Sequence, residues 1–565
     1  MFSALQSNVM VQLAKAAAES RPIQVHLVRM ATTSCPVNAA QAGVCPLANH
    51  DIRTSADVLT APASRVDATS FRTTGANALS TAKPYDEMPG PRGLPVLGSL
   101  LDYTKLGNYS LEKMHEAIVD RFKQYGPIYK ENIAGAEAVH ILDPKDVADL
   151  FRMEGKTPRR IIMEPMAHYR KIRKKNAGIA NLQGEQWKTW RSSLQHVMLK
   201  PNSVATWIPS MEECATDFID LMAAHRDQNG EVPNYLGQIY KWALESSFSV
   251  ILGKRIGCLN PTAEDTNSEA ANLISSTMDF FTGLCNLTFG FPLYKYGIRT
   301  KAWANFAAVQ DYIYNKTAEH VTQYINDMRE RDVTSPTANQ TQGSDQKATV
   351  INYLLTKDNF EFEDICTLTN DLLFAAIDTT SNLLAFCLYC LAKNPEVQER
   401  LYEEVSRELP VGTPATAEAL QNIPYLKAFV KETVRVYPPV DGTSRISNHD
   451  ISIRGYRIPA NTLVRVHCLS GRMPQYFKDP EQFKPERWIR GHKDCENIDP
   501  FLVLPFGTGS RMCVGRRLAE QEIYLLMARL VQRFRVEWHH EDMDYLFRLT
   551  NVPSRPLELS FVDRA

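Results

Sequence analysis

One cysteine, Cys513, stands in the run Pro505-Phe506-Gly507-Thr508-Gly509-Ser510-Arg511-Met512-Cys513-Val514-Gly515-Arg516-Arg517, and Leu518-Ala519-Glu520-Gln521-Glu522 opens a long apolar-periodic helix after it. Glycines at 507, 509 and 515 let the backbone pass close to a flat ligand, and the sulfur falls near the N-terminus of the helix. Helix-terminal N–H groups and nearby arginine favour a thiolate over a thiol. A thiolate in a glycine-rich, arginine-flanked loop is what an electron-donating axial ligand to haem iron requires. The plain alternative is a buried free cysteine in a glycine-rich turn.

Three other clusters carry chemistry-bearing types. Glu432-Thr433-Val434-Arg435 places a carboxylate and a guanidinium one helical turn apart, where Arg487 of Pro485-Glu486-Arg487-Trp488 can join them in a charge network bracing the loop around Cys513. An exposed i,i+3 pair worth about 0.2–0.5 kcal/mol is the bland reading. Trp187-Lys188-Thr189-Trp190-Arg191 puts an indole donor and a guanidinium four residues apart on one helix face, where both can reach an anionic ligand. Asp378-Thr379-Thr380-Ser381 interrupts the apolar run that begins at Leu372 with residues poorly suited to a helix interior. Such local inconsistency often marks function, while a threonine that bonds back to its own helix is the alternative.

Phe-Gly-x-Gly-x-Arg-x-Cys-x-Gly closely resembles the haem-binding loop of the cytochrome P450 family of haem-thiolate monooxygenases. Glu432–Arg435 matches that family's Glu-x-x-Arg helix, Pro485–Trp488 its Pro-Glu-Arg-aromatic segment, and Trp187 with Arg191 its Trp-x-x-x-Arg helix, all in the expected order. The resemblance spans about residue 84 to the end. It implies a mainly α (α+β) fold, a helical bundle enclosing haem b (iron protoporphyrin IX) with a minor β region. Cys513 is then the axial ligand, with Phe506 and Gly507 beside it, and Trp187, Arg191, Arg445 and Arg511 serve the haem propionates. Asp378 and Thr379 take the places of an acid and an alcohol that relay protons to dioxygen, with Ala376 where glycine is usual. The implied reaction hydroxylates a C–H bond of a lipophilic substrate, most simply a sterol or steroid hormone precursor. A xenobiotic-oxidising enzyme and a haem-binding sensor without turnover are the alternatives.

The elements that must position these residues are mostly helical from about residue 108, with short β-like runs at Ile128–Glu131, Val139–Leu142 and Leu549–Phe561. The chain of 565 residues is 44% hydrophobic and 22% charged, with 63 Lys+Arg against 64 Asp+Glu. That composition excludes rods, collagen and wholesale disorder, and no global field recruits nucleic acid. Eleven scattered cysteines are too sparse for a secreted disulfide scaffold, and Cys387 and Cys390 read as packing on one buried helix face. No run approaches the roughly 18–20 consecutive apolar residues of a membrane span.

Residues 1–83 read as a mitochondrial transit peptide and leader: the first fifty hold Lys15, Arg21 and Arg29 against Glu19 alone, and Phe2, Leu5, Val9, Leu13 and Ala16 line one helical face. Cys35-Pro36 and Cys45-Pro46 match short haem-regulatory pairs. Residues 84–107 form a proline-rich hinge, residues 108–565 the monooxygenase domain, and residues 332–347 an exposed loop. With such a leader in place of an apolar anchor, the resemblance is to the mitochondrial branch. That branch implies electrons from NADPH through ferredoxin reductase and a [2Fe–2S] ferredoxin docking on Lys427 and Lys431, at the matrix side of the inner membrane. The aromatic and basic segment Asn286–Trp303 suits peripheral membrane contact.

Overall fold

A computed structural model describes residues 79–260, 268–334 and 349–564. Nearly all of the leader, including Cys35 and Cys45, and residues 335–347 of the polar stretch lie outside the described residues. In chain order the elements used below are α1 (Met114–Tyr125), β1 (Ile128–Ile133), β2 (Ala136–Ile141), α2 (Gly184–Met198), α3 (Ile208–His225), α4 (Tyr235–Leu252), α5 (Glu269–Phe289) and α6 (Lys301–Thr334). They continue with α7 (Phe362–Lys393), α8 (Pro424–Val436), β3 (Gly442–Ile446), β4 (Leu463–His467), α9 (Arg516–Arg533), β5 (Tyr545–Arg548) and β6 (Thr550–Pro553). The fold is mainly helical with a small β region, as expected. Helix α6 runs through the expected loop start at Asp332 and ends at Thr334.

The main sheet runs β1-β2-β4-β3, with β2 and β4 parallel and the outer pairs antiparallel. The β1–β2 hairpin closes through Ala134 (φ 55°) and Gly135 (φ 87°), the double left-handed turn that matches strand twist. The proline-rich segment is tied to the strands: the Lys130 amide donates to Pro89 O at 2.9 Å, and Lys83 exchanges backbone bonds with Gly455 and Arg457. A Cβ on Gly90 would lie 1.9 Å from Lys130 O, so only glycine passes there.

The core is built around α7. A capping box between Glu361 and Asp364 starts it, and Leu383–Leu391 are buried without a break. This helix is long and apolar enough to cross a membrane, and 83% of its apolar window is buried inside the fold. Two asparagines, a serine and threonines break the apolar run, which is why a scan for consecutive apolar residues passes over it. Cys387 and Cys390 are free and fully buried on this helix, and burial pushes both thiols up, Cys387 to about 12. Packing is their role.

Candidate active site

Cys513 is held by its own loop. Its amide donates to Phe506 O at 2.8 Å, Met512 N–H reaches Gly509 O at 3.1 Å, and α9 begins three residues later. Gly509 has φ 72°, so the turn favours glycine, and Glu154 Oε1 packs where a Cβ would lie. Cys513 lies deep in the molecule yet has open surface, because the sulfur faces interior space. Ala375 of α7 is likewise exposed, and Ala376 and Thr379 are half-buried, although the helix around them is buried.

Burial pushes the Cys513 thiol up, against the Gly515 amide and the guanidiniums of Arg191 and Arg160. The helix terminus and arginines expected to yield a thiolate are present but lose to desolvation. A metal ion bound at this sulfur would remove that proton outright.

Four guanidiniums, those of Arg160, Arg191, Arg445 and Arg511, converge, and two of them, Arg160 and Arg191, act on the sulfur. Arg445, Arg511 and Arg191 are buried. Arg160, which sequence reasoning missed, lies among them. Burial, then the charges of Arg160, Arg445 and Arg191, bring Arg511 down to about 9; burial, then Arg445, bring Arg160 down to about 10. Glu154 pairs with Arg445, and Arg511 lies over the Trp187 ring at 3.8 Å while donating to Pro158 O, Leu182 O and Gln183 Oε1. The Arg191 Nε has no partner. A cluster of buried cations with one carboxylate and an orphaned donor calls for a dianion. The two propionates of iron protoporphyrin IX would meet that demand, with Cys513 available to the iron. We expect Arg160→Gln to raise the melting temperature of the haem-free protein while weakening haem retention, read by apoprotein melting and haem transfer to a competing acceptor. A fall in both would mean that Arg160 is structural.

The Glu432–Arg435–Arg487 network is fully buried. Glu432 accepts from Arg435 Nε and Nη2 at 2.9 Å each, from Arg487 Nε at 3.0 Å, from Trp488 Nε1 at 2.9 Å and from the Lys484 amide at 2.8 Å. The bland reading of an exposed pair therefore fails. The network's other bonds end on Gly471, Lys478, Asp479, Pro480, Gln482 and Glu496. It fixes residues 471–496 against α8, and none of these bonds reaches 505–515.

Asp378 and Thr379 are not brought together. Thr379 Oγ1 donates back to Ala375 O at 2.7 Å, the alternative weighed for it. The Asp378 carboxylate instead accepts from Tyr240 Oη at 2.6 Å and Thr550 Oγ1 at 2.7 Å. Burial raises Asp378, and these bonds, with one from Asn382, pull it down. Neighbours on a helix point about 100° apart, so the sequence order that pairs these residues also separates their side chains.

Lys427 is half-buried, donating to Gln421 O at 2.8 Å, and Lys431 is exposed beside the Trp488 ring. Desolvation lowers both; Glu520 opposes it, and Arg516 and Arg490 add to the positive field at Lys431. The lysines thus belong to a basic patch that includes the start of α9, three residues from Cys513. Segment Asn286–Trp303 divides: Leu287, Tyr294 and Trp303 are core, while Phe291, Tyr296 and Ile298 are exposed.

The Cytochrome P450 family profile matches residues 88–560. "Cytochrome P450 10" of Lymnaea stagnalis is 34% identical over 86% of this chain and 88% of its own length. The mitochondrial cholesterol side-chain cleavage enzyme of Equus caballus is 32% identical, covering 85% and 89%. The mitochondrial 1,25-dihydroxyvitamin D(3) 24-hydroxylase of Rattus norvegicus is 31% identical, covering 84% and 89%.

Proposed function

The chain belongs to the cytochrome P450 family of haem-dependent monooxygenases, and from that premise we propose that it works in mitochondria, hydroxylating a sterol or steroid with electrons from a [2Fe–2S] ferredoxin. The observation that carries this reading is the convergence of Cys513 with Arg160, Arg191, Arg445 and Arg511 around interior space. Similarity over most of their length to mitochondrial sterol and secosteroid enzymes supports the compartment and substrate class.

When bound, haem supplies the activation of dioxygen and the oxidation of the substrate. The chain's own residues do the rest. Cys513 presents its sulfur; the arginines and Trp187 hold the propionate edge; the apolar interior excludes water. The partly exposed face of α7 at Ala375, Ala376 and Thr379 leaves room for a small ligand, and Thr379 offers a hydroxyl there. Asp378, one residue away, is the acid that relays protons, its carboxylate held by Tyr240 and Thr550.

The basic patch of Lys427, Lys431, Arg490 and Arg516 is the docking surface for the acidic ferredoxin, which brings the donor to the side from which α9 leads to Cys513. Exposed Phe291, Tyr296 and Ile298, beside exposed Lys295 and Lys301, contact the inner membrane from the matrix side. The leader and the proline-rich hinge of residues 84–107 complete this assignment; the Lys130 amide bonded to Pro89 O and the Ser99 amide bonded to Asn132 O support a rigid hinge.

Titrating the ferric protein with cholesterol and other sterols, steroids and secosteroids tests the substrate class. A saturable low- to high-spin shift with one skeleton supports it; a flat response across the panel removes it. For the donor, Lys431→Glu should weaken ferredoxin-supported reduction by roughly ten-fold at low salt, with the difference shrinking as salt screens the patch. Equal reduction at low salt would rule out docking there.

A further inference from the structure

The Asp378 carboxylate is tied to a strained hairpin. Its two oxygens are divided between α4, through Tyr240 Oη at 2.6 Å, and β6, through Thr550 Oγ1 at 2.7 Å. Asn382 bonds the Tyr240 oxygen at 3.2 Å and the Asp378 carbonyl at 2.9 Å. These side-chain partners are neutral, and the nearest cationic influence, Arg548, acts on Tyr240. A carboxylate held by neutral hydroxyls moves at the cost of ordinary hydrogen bonds, not of a buried ion pair.

Thr550 is placed by the residue before it. Strands β5 and β6 pair up to Arg548↔Thr550, leaving Leu549 alone in the turn with φ 70°. A bulky residue in left-handed backbone is unusual and persists only where surrounding structure holds it. Here α5 does the holding. The Leu549 amide lies against the Cys285 sulfur, the Leu549 side chain packs in the clusters of Cys285, Phe289, Leu284 and Leu287, and Phe547 meets Phe289 edge-on at 5.7 Å. Helix α5 leads directly into the segment with exposed Phe291, Tyr296 and Ile298. One side of the hairpin tip therefore touches the helix next to the proposed membrane-facing segment, and the other holds the acid.

We infer that the β5–β6 tip couples α5 to proton delivery: Leu549 follows the position of α5, and Thr550 is a positioning residue that keeps the Asp378 carboxylate turned away from Thr379 until α5 shifts. This rests on the reading of Asp378 as the acid that relays protons.

The test uses NADPH, ferredoxin reductase and a [2Fe–2S] ferredoxin with no substrate added, so it does not depend on identifying one. Electrons from NADPH then pass to dioxygen, and with two protons leave as hydrogen peroxide. In Thr550→Val the carboxylate is released, and peroxide formation should rise roughly 2- to 12-fold, the range of one lost hydrogen bond, with a smaller solvent isotope effect. Thr550→Ser, which keeps the hydroxyl, should return both values to those of the native protein. Leu549→Gly, which keeps Thr550 but frees the tip from α5, should change them in the same direction as Thr550→Val. Asp378→Asn should lower the rate and enlarge the isotope effect. If Asp378→Asn changes neither value, the reading of Asp378 fails. If it does change them and Thr550→Val does not, or Ser fails to restore them, the positioning role is overturned. A native response in Leu549→Gly overturns the link to α5. Each variant is first required to show the native ferric haem spectrum.

Discussion

Cys513→Ala yields a folded protein with no monooxygenase activity and without the thiolate-type spectrum of the reduced carbon-monoxide complex. The loss is expected to be complete because no other described cysteine is placed to substitute: Cys214, Cys258, Cys285, Cys366, Cys387, Cys390 and Cys468 are buried, and Cys495 is exposed in another segment. Stability should change by less than about 1 kcal/mol, as for substitutions that remove no buried contact or bond network. The Cys513 side chain faces open interior space, and the loop is held by the backbone bonds from Cys513 to Phe506 and Met512 to Gly509. Spectroscopy and activity should therefore collapse while melting of the haem-free protein does not. A thiolate-type spectrum surviving in the alanine variant would overturn the assignment of Cys513.

What was legible in the sequence divides by the range of the interaction. The Cys513 loop is local: the left-handed Gly507 and Gly509, the cysteine and the helix start lie within a dozen residues, so their spacing carries the geometry. Glu432 and Arg435 are one turn apart on α8, and their contact follows from helical pitch. Arg160 and Glu154 had no such signal. They enter through a segment with no repeating pattern, and only the folded chain places them beside Arg445 and Arg511. Thr550 was legible as part of a β-rich tail but not as a partner of Asp378, 172 residues earlier. Adjacency also misled: Asp378 and Thr379 invite pairing as neighbours in sequence, while the turn of α7 sends one carboxylate toward α4 and β6 and the other residue's hydroxyl toward its own backbone.

Glu432→Ala is expected to cost about 3–5 kcal/mol, the penalty for leaving a buried charge without its counter-ion, against total stabilities of about 5–15 kcal/mol. The charges near Glu432 show where the cost falls. Arg487 also pairs with Glu496, whose side chain is 22% exposed, so it keeps one anion. Arg435 would keep only the carbonyls of Gly471, Pro480 and Gln482, and both the Trp488 indole and the Lys484 amide would lose their acceptor. Glu496→Ala should therefore cost much less than Glu432→Ala, because a partly exposed partner is replaced by water. Removing the whole pair should also be milder than removing half: in Glu432→Met/Arg435→Met no buried cation is stranded on α8, and the double variant should recover part of the single variant's loss. Urea unfolding of the four proteins measures this ordering. A Glu432→Ala variant within about 1 kcal/mol of the native chain would mean that the carbonyls around Arg435 carry the charge, and a double variant less stable than Glu432→Ala would mean that no stranded cation is relieved.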